Sequence, residues 1–172
     1  MLLYRPPRPE PVVLRLIGDA VDLAVAVLAA TLLLVMFANV AARLALNTDI
    51  AWNTEFGEFV LLWATFLGGA SAARRGAHMR ITEFVESMPP ALSRAVEFAT
   101  RVAVIAMLAL LIWYGISITQ RTMEQEMTVL HWPMGVQYLA MPVGSALTLA
   151  FVLYETVLVA TGEPIPQEVF QD

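Results

Sequence analysis

Five ionisable residues, Asp22, Glu55, Glu58, Arg101 and Glu155, lie within or at the rim of strongly apolar stretches. Chemistry would be sought there first. A charge at the centre of a membrane helix costs about 2.5–3.5 kcal/mol on insertion scales, so a residue kept there handles protons, ions or substrate by default. Their positions argue for a quieter role: Asp22, Arg101 and Glu155 fall near one end of their apolar runs, and Glu55 and Glu58 open another. None reaches the middle. Glu97 and Arg101 are spaced i, i+4, which places a local partner beside Arg101 on one helix face. Asp22, Glu97, Arg101 and Glu155 are therefore read as structural ion pairs rather than proton carriers.

The remaining reactive residue types form no site. A membrane haem would need two histidines on facing helices at similar depth, and the only two, His78 and His131, fall on opposite sides of the topology derived below. Cysteine is absent, which excludes disulfides, thiolate metal sites and cysteine nucleophiles together. The sequence holds no Ser–His–Asp set, metal-ligand spacing or glycine-rich phosphate loop. The expectation is a chain with no catalytic residue, no cofactor and no metal. Its net charge of −5 speaks against a nucleic-acid partner.

Hydrophobic residues make up 59% of the 172 and charged ones 15%, a balance that suits lipid-facing helices and not a water-covered surface. Four apolar runs account for it: about Ala20 to Ala42, Trp52 to Ala73, Ala95 to Ile118, and Gly135 to Ala160. Each is long enough, at 1.5 Å per residue, to cross a hydrocarbon core of ~30 Å. The prediction is an all-α membrane protein, one domain over residues 1–172 with four transmembrane helices. Residues 1–14 hold Pro6, Pro7, Pro9 and Pro11 and are read as an irregular cytoplasmic arm; residues 163–172 form an acidic cytoplasmic tail. A cleavable signal peptide competes for the first run, but such an apolar core ends after ~7–15 residues, and this one continues past Ala24, Ala26 and Ala29.

Between the second and third runs, Met79, Ile81, Phe84, Val85 and Met88 alternate with Arg80, Thr82, Glu83 and Glu86 before Pro89-Pro90. That pattern predicts a short amphipathic interfacial helix, and it fits a solvated connecting helix packed on its own bundle equally well. The second run ends in Gly68-Gly69-Ala70-Ser71-Ala72-Ala73, small residues four apart that let another backbone approach. Gly68, Gly69, Ala72 and Ala73 could serve packing within the bundle or against a larger partner. Pro142, followed by Gly144, is expected to kink the fourth span by removing one backbone hydrogen bond. Trp52, Trp113 and Trp132, near span ends, suit anchoring at the membrane interface.

All ten basic residues are arginines. Arg5, Arg8 and Arg15 precede the first span, and Arg74, Arg75, Arg80 and Arg94 surround the second connection, leaving Arg43 and Arg121 beside the other two. By the positive-inside rule the amino-terminal arm and second connection are cytoplasmic, with Arg74, Arg75 and Arg80 as topology determinants. An even number of spans then returns the carboxy terminus to the cytoplasm.

The landmarks taken in order resemble the small membrane subunit of tripartite ATP-independent periplasmic (TRAP) transporters. They are Trp52-Asn-Thr-Glu55, Trp63 to Gly68-Gly69-Ala70, Arg75-Gly76-Ala77-His78-Met79-Arg80-Ile81, Tyr114-Gly115, Leu130-His-Trp-Pro133 and Tyr138-Leu-Ala-Met-Pro142-Val-Gly144. Where that family often has two adjacent acidic residues after the tryptophan, Thr54 here precedes Glu55. The resemblance implies a bacterial inner-membrane complex: a periplasmic solute-binding protein delivers an organic acid or similar solute, and a large polytopic subunit imports it with a sodium gradient. The small subunit would scaffold the large one, with Trp52, Glu55, Glu58, His131 and Trp132 as candidates for docking the binding protein on the periplasmic face. It would use no ATP. The competing function is a self-sufficient four-helix exporter driven by protons, for which Asp22 is the candidate carboxylate.

Overall fold

The computed structural model describes residues 11–75 and 90–160. They form α1 (Val12–Leu46), α2 (Asn53–Arg74), α3 (Pro90–Thr122), a short α4 (Met134–Tyr138) and α5 (Ala140–Ala160). Among the described residues, four helical segments are long and apolar enough to cross a membrane, α4 and α5 together making the fourth. The interfacial segment 79–88, the acidic tail, Arg80 and His78 lie outside the described residues.

α1 begins at Val12, inside the stretch expected to be irregular. Pro11 explains the start: it stands at the cap with φ −51° and ψ 137°, and its carbonyl accepts the Arg15 amide at 3.1 Å. A proline at a helix start forfeits no hydrogen bond, because the first amides have no intrahelical partner anyway. Asn47 ends α1 with left-handed dihedrals (φ 50°, ψ 35°), a conformation that asparagine tolerates. Asn39, the polar interruption of the first run, accepts the Ile50 amide at 3.1 Å and folds the connection back onto α1.

Contacts run α1 to α2, α2 to α5, and α5 to α3. The helices thus form an open row in which α2 and α5 have two long neighbours and α1 and α3 one each. A connected core of Val21, Leu67, Ala70, Ala73, Leu108, Phe151 and Val152 threads the row. Outside that seam the middle of α1 is apolar on its open sides, exposing Leu23, Val27, Leu33, Leu34, Phe37 and Val40, as a helix surrounded by lipid should.

Single glycines set the helix spacings. A Cβ on Gly144 of α5 would stand 2.8 Å from the backbone carbonyl of Phe66 on α2, and one on Gly115 of α3 would stand 2.8 Å from Cδ of Pro142. Pro142 therefore seats its ring in a notch of α3, while Gly144 brings α5 onto the α2 backbone. The helix is interrupted at Leu139, between α4 and α5, within the turn whose bond to Tyr138 the proline cannot make.

Candidate functional site

One end of the row carries the α1–α2 connection and the α3–α4 loop; the other carries Arg74, Arg75 and Arg101. At the loop end, Glu55 in the first turn of α2 accepts the Leu130 amide at 2.9 Å and the Val129 amide at 2.9 Å on the same oxygen and 3.1 Å on the other. A carboxylate has acceptor sites for several amides and binds them more strongly than a neutral oxygen does. The loop is ordered within itself too. Glu126 bridges Pro133, the Met127 amide donates to Trp132 O at 2.9 Å, and Met134 donates to Gln125 O at 2.7 Å. Met127 is buried beneath it, and His131 takes φ 55°.

Aromatic rings lock this loop to α2. Trp132 meets Phe56 and Phe59 edge-on at centroid distances of 6.4 and 5.6 Å, and Trp52 meets Phe56 at 5.7 Å. Below them the Trp63 indole donates to Val136 O at 3.3 Å. Of the residues expected at this face, Trp52, Glu55 and Trp132 are thus brought together, with Glu55 turned to its own loop. Glu58 stands exposed on α2, and His131 is exposed on the loop, 3.9 Å from Glu126.

At the opposite end Arg74 turns inward. Its side chain is 2% exposed and reaches Asp19 at 2.9 Å and Asp22 at 3.3 Å, and it donates to Arg15 O at 3.3 Å. Gly18 makes room, since any side chain there would collide with the guanidinium. Ser71 also donates to Asp22, and Arg75, half exposed, lies 3.4 Å from it. Asp22 is therefore paired across helices, from α1 to the end of α2. Arg101 likewise reaches across, donating to Thr156 Oγ1 of α5 at 3.3 Å beside Glu155; the Glu97 side chain lies outside the described set. Asp19 and Gly18 were missed in the sequence; Asp19 and Asp22 both lie within a helical turn of Gly18, the only cue to a buried cation.

In the last third of α2, Gly68 and Gly69 meet nothing within 4 Å of where a Cβ would stand. Ala72 is exposed beside them, while Ala73 is buried in the core. The four small residues therefore divide: Ala73 packs inside the row, and Gly68, Gly69 and Ala72 present an open strip. Among the described residues, no group of three His, Cys, Asp or Glu side chains could hold a metal.

The family model for tripartite ATP-independent periplasmic transporters, DctQ component, matches residues 32–162, which take in the second half of α1 and all later helices. The chain belongs to the DctQ family. It is similar to a Haemophilus influenzae protein named as a TRAP transporter small permease protein, with 23% identity over 137 residues covering 80% of this chain and 85% of that one. It is also similar to the sialic acid TRAP transporter small permease protein SiaQ of Vibrio cholerae, 24% identical over 130 residues, covering 76% and 75%. As a DctQ component the chain is a multi-pass transport subunit and not an enzyme. Most of the features that order the loop end and the row fall within the matched region, from Glu55 to Gly144.

Proposed function

We propose that this DctQ component is the fixed membrane scaffold of a three-part importer of the bacterial inner membrane. A large polytopic subunit moves an organic acid or similar solute inward with sodium, and a periplasmic binding protein delivers that solute. The Vibrio relative's name gives sialic acid, a carboxylate-bearing sugar, which fits the solute class. The observation that carries the reading is the uncovered face of α2. Glu58, Leu61, Thr65, Gly69 and Ala72 recur at helical spacing and are all exposed, although α2 already packs on α1 and α5. Small residues on an open face of a central helix suit close packing by another transmembrane helix. The Glu55-held loop, with Trp52, Glu58, His131 and Trp132, is the docking surface for the binding protein.

By arginine placement this loop is periplasmic and both termini are cytoplasmic. Alkaline phosphatase fused after Glu126 is then active and after Ser87 inactive; the reverse pattern would refute the orientation. Uptake in proteoliposomes tests the function. The large subunit with binding protein and a sodium gradient should take up solute only when this chain is present. Proton-driven export by this chain alone would support the exporter instead, although Asp22, bound up with Ser71, Arg74 and Arg75, is poorly placed to carry protons.

A further inference from the structure

The outward side of α3 departs from the lipid-facing pattern that α1 sets. Trp113 is 74% and Tyr114 65% exposed, with Ser117 half-buried and Gln120 exposed beside them. Trp113 is two residues, or about 200°, around the helix from Gly115, which packs on Pro142. It therefore faces away from the row.

These groups are not at the interface where tryptophan and tyrosine usually anchor. The span runs Phe98–Thr122, so Tyr114 stands about eight residues, or ~12 Å, inside its nearer end. That end is the carboxy-terminal one, and side chains on a helix lean toward its amino terminus. Both rings thus lean away from the nearer headgroups and toward the middle of the span, whichever way the chain is inserted. An indole N–H and a phenol O–H there have no acceptor among lipid tails, and an unsatisfied polar group in hydrocarbon is costly. The surface that covers them must supply the complementary acceptors: carbonyl or hydroxyl oxygens at that depth. Toward the other end of the same face, Ala99, Ala103 and Ala106 are exposed, so a helix crossing at the aromatic pair can continue close to the α3 backbone.

We infer that Trp113 and Tyr114 form a second membrane-embedded contact, distinct from the open strip of α2. Its occupant is a transmembrane helix of the large subunit that presents hydrogen-bond acceptors to the two rings. The inference rests on the scaffold reading for the identity of that partner. The test co-expresses the full chain with its large subunit and measures how much of it a tag on the large subunit recovers from detergent. Trp113→Leu with Tyr114→Leu should lower recovery about fivefold or more, and Tyr114→Phe, which removes only the hydroxyl, about twofold. Leu33→Ala with Leu34→Ala, on the lipid-facing side of α1, should leave it unchanged. A benzoylphenylalanine placed at position 113 should crosslink to the large subunit on illumination, which keeps the test alive should the double variant fold poorly. Unchanged recovery of the double variant, or crosslinks confined to lipid or to a second copy of this chain, would overturn the inference and leave the scaffold reading standing. Failure of the unsubstituted chain to co-purify would remove both.

Discussion

Gly144 of α5 lies so close to Phe66 of α2 that a methyl group on it would stand 2.8 Å from the Phe66 backbone carbonyl carbon and oxygen. Backbone cannot step aside as the end of a flexible side chain can. Gly144→Ala must therefore push α2 and α5 apart near the middle of the row. The expected loss is about 1–3 kcal/mol, the usual cost of overpacking a tight interior, read as earlier thermal unfolding of the purified chain in detergent. Unfolding at the unsubstituted temperature would mean that the two helices are not held at this distance.

The link between Glu55 and the α3–α4 loop makes a different prediction, because it concerns local order and not global stability. Glu55→Ala removes the acceptor for both the Val129 and the Leu130 amides. Hydrogen exchange in micelles should show those amides exchanging about tenfold faster, with the four spans unaffected. Glu55→Gln keeps one acceptor oxygen and should fall between. Should the ordered loop also dock the binding protein, affinity for it should follow the same ranking.

Asp22 and Arg75 separate buried from exposed charge. Asp22→Asn leaves the Arg74 cation, 2% exposed, still paired with Asp19. Removing one partner of a fully buried pair costs about 3–5 kcal/mol; here about 2–3 is expected, since Asp19 stays in place and Asp22 is partly exposed. Arg75→Ala breaks a half-exposed pair at 3.4 Å, which should cost under about 1 kcal/mol. Intrinsic-fluorescence melting of both variants checks the order, and a larger loss for Arg75→Ala would contradict it.

Much of this was legible in the sequence, and the omissions share a cause. Run length reported the four spans, because crossing hydrocarbon demands about twenty apolar residues whatever packs beside them. Pro142 marks the turn in which the fourth span is interrupted at Leu139, since a missing amide acts locally. The burial of Arg74 was not legible: position relative to an apolar run gives depth but not rotation about the helix axis, and rotation turns Arg74 toward Asp19 and Asp22 while Arg75 stays half exposed. Trp113 misled for a related reason, as α3 extends to Thr122 and leaves it well inside the span. The pairing of Glu55 with Val129 joins residues 74 apart, and no local pattern encodes that.

Gly69→Leu turns the division among the small residues of α2 into a test of assembly. Nothing lies within 4 Å of where its Cβ would stand, so the chain itself has room for the larger side chain. In a helix interior the change removes a glycine penalty of about 1 kcal/mol, and the purified variant should unfold no earlier than the unsubstituted chain. Co-expressed with the large subunit, the same leucine would hold away any helix that seats against Gly69 and Ala72, and recovery of the complex should fall about tenfold. Gly144→Ala should show the opposite pairing, a weakened chain by itself. If Gly69→Leu destabilised the isolated chain instead, the strip would belong to the internal packing; if it altered neither stability nor recovery, the strip would face lipid.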